Sequence, residues 1–425
     1  MKTFRQIACL LTLAVCVGAQ DERQVNLDSF EFVWRAVQDK HWDPKLGGLD
    51  WQAVHDELRP AMEKAQTRDQ ARAVLQDMLS RLHQTHFAIL PNDVYSSLDD
   101  AGPGGDGTTG IDVRVLDGRA VVTSVTAASG IHTGWELLKI HGKPIAPLIA
   151  RINRTYRESS LRQLQLRHAI LSRLGGEPGE TIALEFLDGQ GRAVSKAVRL
   201  TPSRGNLAHF GYLPPSYVWF DSHKLPGGAG YIAFNAFLDP AHVMEKFGEA
   251  VKACLHCPGL VIDLRGNPGG IGIMAMGMAG WFFDRPNLHL GTLILRDSKL
   301  NFAVTPRAET YHGPLAVLVD ECSASTAEIF AQGLKDLHRA RILGSRTAAA
   351  ALPSVIERLP NGDGFQFAIA NYISEGGKPL EGLGVSLDVE APPTRAALLR
   401  GEDPALDAAV RWLARKRAGT LPDMN

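Results

Sequence analysis

Apolar residues recur three and four positions apart near the start of the chain, at Phe30, Val33, Trp34 and Val37 and again at Ala71, Leu75, Met78, Leu79 and Leu82. That period puts them on one face of a helix, so residues 20–100 are expected to form a small helical domain. The pattern turns strand-like within 82–90, and the polar, glycine-rich run 99–107 reads as a linker. Across 108–204, short apolar runs predict strands at 112–116, 120–125, 136–140, 181–186 and 194–200, with a helical insertion rich in Arg and Leu at 147–174. From 210 to 415 strands and helices alternate. Strands are expected at 231–234, 260–264 and 315–319, and helices at 241–253, 271–283 and 326–337. Such alternation predicts an α/β core, and the chain as a whole reads as multidomain α/β.

Composition narrows the partners. The 425 residues carry 45 Lys plus Arg against 46 Asp plus Glu, so no basic excess exists to neutralise a phosphate backbone, and nucleic acid is not expected as a partner. Lys2 and Arg5 precede an apolar run at 7–17, and Val17-Gly18-Ala19 offers small residues for cleavage. Residues 1–19 therefore read as a signal peptide, implying export to a periplasmic or extracellular space, and the apolar run is shorter than the ~20 residues that span a bilayer. Loss of that leader would leave Cys254, Cys257 and Cys322. Cys254-Leu-His-Cys257 has the spacing of a disulfide, half a metal site or a redox pair, with a structural role preferred, and Cys322 is expected to pack as a small hydrophobe.

Two loops carry the composition of an active site. Residues 261–270, Val-Ile-Asp-Leu-Arg-Gly-Asn-Pro-Gly-Gly, run from a buried strand into a turn whose glycines can bring bare N–H groups close to a ligand. The other loop leaves strand 315–319 and reaches Ser325 at a helix start, where a hydroxyl is ordinarily just a cap. In open α/β sheets, ligands gather at the carboxyl ends of strands, where both loops would meet. A serine hydroxyl needs a neighbouring base to become a nucleophile.

The blocks Asp263-Leu264-Arg265-Gly266-Asn267-Pro268-Gly269-Gly270, Ser323-Ala324-Ser325-Thr326-Ala327-Glu328, Gly344-Ser345-Arg346-Thr347 and Glu381-Gly382-Leu383-Gly384-Val385 resemble, in order, signatures of the tail-specific (C-terminal-processing) and tricorn-core serine protease family. Residues 130–145 are similar to a segment of PDZ domains, which take extended peptides onto a sheet edge; a generic β-rich spacer is the alternative. The resemblance implies a crotonase-like α/β catalytic core, a helical N-terminal domain and a PDZ-like domain. Ser-Lys members carry lysine three residues after the threonine of the Gly-x-x-Thr block, where this chain has Ala350. The resemblance therefore implies the Ser-His-Glu arrangement, with Ser325 attacking, His86 relaying the proton and Glu381 supporting the imidazole. The oxyanion would lie between the N–H groups of Gly269 or Gly270 and Thr326. His83 and Glu375 are the rivals of His86 and Glu381, and Asp263 and Arg265 read as loop anchors. Ala349 stands where many relatives have glycine.

The implied activity is hydrolysis of peptide bonds in extended or unfolded chains, with no cofactor or metal. A non-catalytic carrier of peptide or of a hydrophobic ligand on the same scaffold, and an esterase or amidase acting on small substrates, are the alternatives. Oligomeric state is not legible in the residues.

Overall fold

The computed structural model describes residues 3–91, 105–126 and 129–417. Its first helix, Thr3–Lys40, runs through the candidate leader, and two more follow at Trp51–Lys64 and Arg68–Ser80. Their starts are capped as their sequences suggest: Asp50 accepts from the Ala53 N–H (2.9 Å) and Thr67 from that of Gln70 (3.2 Å). Phe30, Val37, Leu58, Leu75 and Met78 interlock, but three helices do not close this core. Leu352, Leu359, Phe365, Phe367 and Ala368 complete it from a hairpin formed by Ser354–Arg358 and Gly364–Ala368. Strand Ala88–Leu90 adds antiparallel to that hairpin, and the Arg72 guanidinium meets the buried Asp363 carboxylate at 2.8 and 3.0 Å. The helical region is thus fused to the C-terminal half rather than standing apart as residues 20–100.

The β-rich region is an antiparallel sheet in the order Ile111–Leu116, Arg119–Val125, Glu136–Ile140, Thr181–Leu187, Ala193–Arg199. The expected insertion is two helices, Ala146–Thr155 and Arg162–Leu171, which cover the sheet with Ile149, Leu166 and Ile170. Of the expected linker, residues 99–104 lie outside the described residues, while Gly107–Thr108 forms a short strand.

The core sheet has six strands in the order Phe220–Lys224, Gly230–Phe234, Leu260–Asp263, Leu315–Val319, Arg341–Gly344, Val389–Glu390, parallel except for the first pair. Side chains alternate across a strand, so Ile262 and Val317 face one layer while Val261 and Leu318 face the other. Helices Pro240–Lys252, Gly272–Ala279 and Thr326–Asp336 pack on the first face through Phe247, Met278 and Phe330; Pro404–Arg417 packs on the second through Ala409 and Trp412. Burial on both faces is why the sequence here runs apolar without alternating. The first of those helices is followed by a disulfide between Cys254 and Cys257, one of the arrangements expected for that spacing. Cys322 is a free, buried thiol whose pKa burial pushes up to about 12, so it stays protonated and inert.

The β-rich sheet docks on the core through charge. Arg114 bonds Asp112 (2.7 Å) and reaches across to Asp320 (3.1 Å), while Arg167 grips Asp112 at 3.1 Å. Asp320 in turn accepts the Gly266 N–H at 2.8 Å, so the docked side chains brace the glycine-rich loop from below.

Candidate active site

Two strand ends deliver the loops together, as the parallel order requires. Ser325 opens helix Thr326–Asp336 in a left-handed conformation (φ 53°, ψ −121°), a strained geometry for a residue with a Cβ. Three interactions hold it there. The Ser325 N–H donates to the Ala350 carbonyl (2.7 Å) and to Glu328 Oε2 (3.1 Å), and the Glu328 N–H returns to the Ser325 carbonyl (2.8 Å).

Glu328 is fully buried and collects four donors: the Ser325, Ala349 and Ala350 N–H groups and the Thr347 hydroxyl. Burial pushes its pKa up to about 7, although every one of those hydrogen bonds pulls the other way. Its Ser-x-x-Glu spacing, which matches a capping box, is the signal by which the sequence marks it.

The glycine-rich loop is folded by Asn267, itself buried. Its amide donates to the Phe234 carbonyl (2.9 Å) and its Oδ1 accepts the Gly269 N–H (2.9 Å). Of the two glycine N–H groups expected to face an oxyanion, that of Gly269 is thereby engaged. Among the described residues, the N–H groups of Gly270 and Thr326 make no hydrogen bond, and the Thr326 hydroxyl ties the two loops through the Gly270 carbonyl (2.8 Å). Gly269 serves instead by being small. A Cβ there would lie 2.7 Å from the Ala324 carbonyl and 2.8 Å from Ser325 Cβ, and its φ of 93° also demands glycine.

His86 follows the third helix in a loop where both His83 (φ 50°) and His86 (φ 61°) are left-handed. His83 is exposed, whereas His86 is half-buried and desolvation brings its pKa down to about 4. The ring is therefore neutral at pH 7. Its Nδ1 lies 2.7 Å from Thr85 Oγ1, and that hydroxyl gives its one proton to Glu381 Oε2 at 2.9 Å. The network consequently assigns the proton of the imidazole to Nδ1, leaving Nε2 as the basic lone pair.

Glu381 reaches His86 through Thr85 rather than by a direct bond to the imidazole. It holds Thr85 through both the hydroxyl and the N–H (2.8 Å), and accepts the Ala351 N–H at 3.1 Å; burial raises its pKa above the ordinary carboxylate value. Thr85 is the residue that sequence reasoning missed, and its position next to the histidine was its only signal. Glu375, the rival carboxylate, pairs with His289 instead. Asp263 and Arg265 are anchors: Arg265 bridges Asp263 and Asp403, and Tyr231 donates to Asp263 at 2.7 Å.

The run 347–351 connects these parts. Ala350 takes the Ser325 N–H, Ala351 gives its own to Glu381, and Ala349 accepts the Gly382 N–H at 2.9 Å. The Ala350 side chain, where a lysine would stand in the other arrangement, is buried in a small apolar cluster with Ala324 and Ala348, covered by Leu161 and Leu164 from the β-rich region. Among the described residues no hydrogen bond joins His86 to Ser325.

Comparison with known proteins agrees with this architecture. Residues 228–391 match the model of peptidase family S41, and residues 22–80 match the tricorn protease C1 domain. A putative tricorn protease homolog 2 of Streptomyces coelicolor is 24% identical over 417 residues, 90% of this chain and 32% of that protein, so this chain spans about a third of that relative's length. A carboxyl-terminal-processing protease of Picosynechococcus is 25% identical over 424 residues, 96% of this chain and 95% of the relative. Among solved structures, the photosystem II D1 C-terminal processing protease has the same fold with a TM-score of 0.56 at 21% identity, covering 89% of this chain and 98% of that one. Mature CPAF superposes with a TM-score of 0.61 at 16% identity, covering 93% and 97%. The protein is a serine-type peptidase with a multidomain α/β fold. It carries a peptidase family S41 domain and a tricorn protease C1 domain, and its relatives include carboxyl-terminal-processing proteases.

Proposed function

We propose that this chain is an exported endopeptidase that cuts extended or unfolded polypeptides with Ser325 as nucleophile and His86 as general base. The α/β sheet serves as a crotonase-like catalytic core, and the β-rich region serves as a PDZ-like module that presents the chain to be cut. The observation that carries the reading is the hydrogen-bonded order Glu381, Thr85, His86, which leaves a neutral imidazole with its Nε2 lone pair available.

In the reaction, Nε2 takes the Ser325 hydroxyl proton as Oγ attacks the scissile carbonyl carbon, breaking its π bond. The resulting oxyanion is received by the N–H groups of Gly270 and Thr326 at the positive end of helix Thr326–Asp336. The imidazolium is stabilised by Glu381 through the Thr85 hydroxyl and returns its proton to the leaving amine; water then repeats the sequence on the acyl-enzyme. The base and nucleophile come from different parts of the chain, so substrate binding is the step that closes their hydrogen bond.

The test is covalent. The wild-type protein should label with a fluorophosphonate probe and cleave unfolded protein, and Ser325→Ala should do neither while keeping its circular dichroism. Labelling and cleavage that survive Ser325→Ala would refute the assignment, and wild-type protein that neither labels nor cleaves would favour the carrier on the same scaffold. Ester turnover with no peptide turnover would favour the small-substrate hydrolase.

A further inference from the structure

The loop that carries His86 has a left-handed residue at each end, His83 and His86, and such strained residues persist only where surrounding contacts impose them. One buried side chain supplies contacts on both flanks of His86. His41 closes the first helix and is fully shielded from solvent. Its Nδ1 faces the N–H (2.9 Å) and carbonyl (3.0 Å) of Asp43, and its Nε2 faces an oxygen, Gln84 Oε1, at 3.0 Å, so the tautomer that satisfies both sides accepts the Asp43 N–H at Nδ1 and donates from Nε2 to Gln84. The same ring stacks on Phe87, 5.7 Å between centroids at 19°. Gln84 and Phe87 bracket Thr85 and His86.

The backbone that carries the imidazole is itself anchored to the catalytic half of the molecule. Arg296 donates to the carbonyls of Gln38 (3.0 Å) and His41 (3.2 Å), and Lys40 pairs with Glu357 at 2.8 Å. A rigid path therefore runs from the core, through the end of the first helix, to the loop bearing His86. Thr85 and Glu381 hold one side of that loop; His41 holds the other.

We propose that His41 is a positioning residue for the catalytic step, fixing the His86 loop through Gln84 and Phe87 without touching substrate. The proposal rests on the reading of His86 as general base. His41→Phe keeps a flat ring for Phe87 and deletes the bond to Gln84, and Gln84→Ala deletes the same bond from the other side. A displacement of about 1 Å in a base costs about 100-fold, so each variant should lower kcat by about 10–100-fold with KM within about 2-fold. Fluorophosphonate labelling should slow in parallel. The double variant should be no slower than the worse single one, because both remove one interaction. His41→Gln, which places an amide nitrogen where Nε2 stood, should recover part of the loss.

Wild-type kcat in both single variants, multiplied losses in the double variant, or an effect confined to KM would each overturn the proposal. Where His41→Phe lowers the melting temperature enough to unfold at assay temperature, Gln84→Ala, at a half-buried surface position, decides. His86→Ala run alongside separates this outcome from failure of the underlying reading. Full activity of His86→Ala refutes the general base itself, whereas an inactive His86→Ala beside fully active His41→Phe and Gln84→Ala refutes only the positioning role.

Discussion

Thr85 and Glu381 are joined twice, hydroxyl to Oε2 at 2.9 Å and N–H to Oε1 at 2.8 Å, across 296 positions of sequence. The carboxylate therefore acts on the neighbouring imidazole through an interposed hydroxyl. Thr85→Val keeps the shape and removes the relay, so kcat should fall by about 10–100-fold, within the range general-base alignment supplies. Thr85→Ser, which retains the hydroxyl, should stay close to wild type. Steady-state kinetics of the pair check this, and an active Val variant would show that Glu381 works by another route.

His86 gives a pH signature that does not depend on substrate. Its pKa falls from an ordinary 6.5 to about 4 on folding, so the unfolded chain binds the proton more readily between those values. The stability that follows is present above pH 6.5 and lost as pH falls through 4, to a maximum on the order of 3 kcal/mol. Melting temperatures of wild type and His86→Gln, measured from pH 7.5 to 4, should converge or cross as the pH drops.

Glu328 runs the other way. With its folded pKa near 7 against an ordinary 4.5, its contribution is fully present below 4.5 and lost as pH rises through 7. Glu328→Gln should remove that slope. It also turns an NH2 toward two donors, at a cost of about 1–3 kcal/mol, and frees the Ser325 backbone, so activity should fall even where the fold survives. Thermal unfolding as a function of pH, paired with fluorophosphonate labelling, measures both effects.

Gly269→Ala tests the close approach of the two loops. With a Cβ 2.7–2.8 Å from Ala324 O, Ser325 Cβ and Thr326 N, either the Ser325 turn or the oxyanion loop must move. Peptidase activity should drop by at least about 100-fold, the loss typical of a disturbed oxyanion site, while the melting temperature changes far less.

Arg72→Ala removes the guanidinium facing the fully buried Asp363. Breaking such a pair costs about 3–5 kcal/mol, here at the seam between the N-terminal helices and the hairpin that receives strand Ala88–Leu90. Limited proteolysis should then cut the N-terminal region early, and activity should fall with it, since that strand directly follows the His86 loop.

Much of the architecture could be read from periodicity. The parallel strands, the helix beginning at Thr326 and the helical start of the chain all lie within a few residues of their expected places, because burial on one or two faces leaves a local record in the spacing of apolar residues. The insertion at 147–174 was less legible: it read as helical, but Arg162–Leu171 has no capping side chain to mark where a second helix starts. Ser325 and Gly269-Gly270 stood out because tight turns select residue types, and Ala350 could be read as a missing base.

By itself the sequence determined the multidomain α/β class and the loops that end the core strands, and it singled out Ser325 as the candidate nucleophile, since each depends on neighbours a few residues away. Three matters waited for the tertiary structure: that Thr85 stands between His86 and Glu381, that Asn267 occupies the Gly269 N–H, and that the N-terminal helices share a core with the 354–368 hairpin. The first and third are contacts between segments that meet only when the chain has folded; the second spans two residues, but the turn that makes it is held by the Asn267 amide on the Phe234 carbonyl, and no apolar periodicity encodes which donor reaches which acceptor.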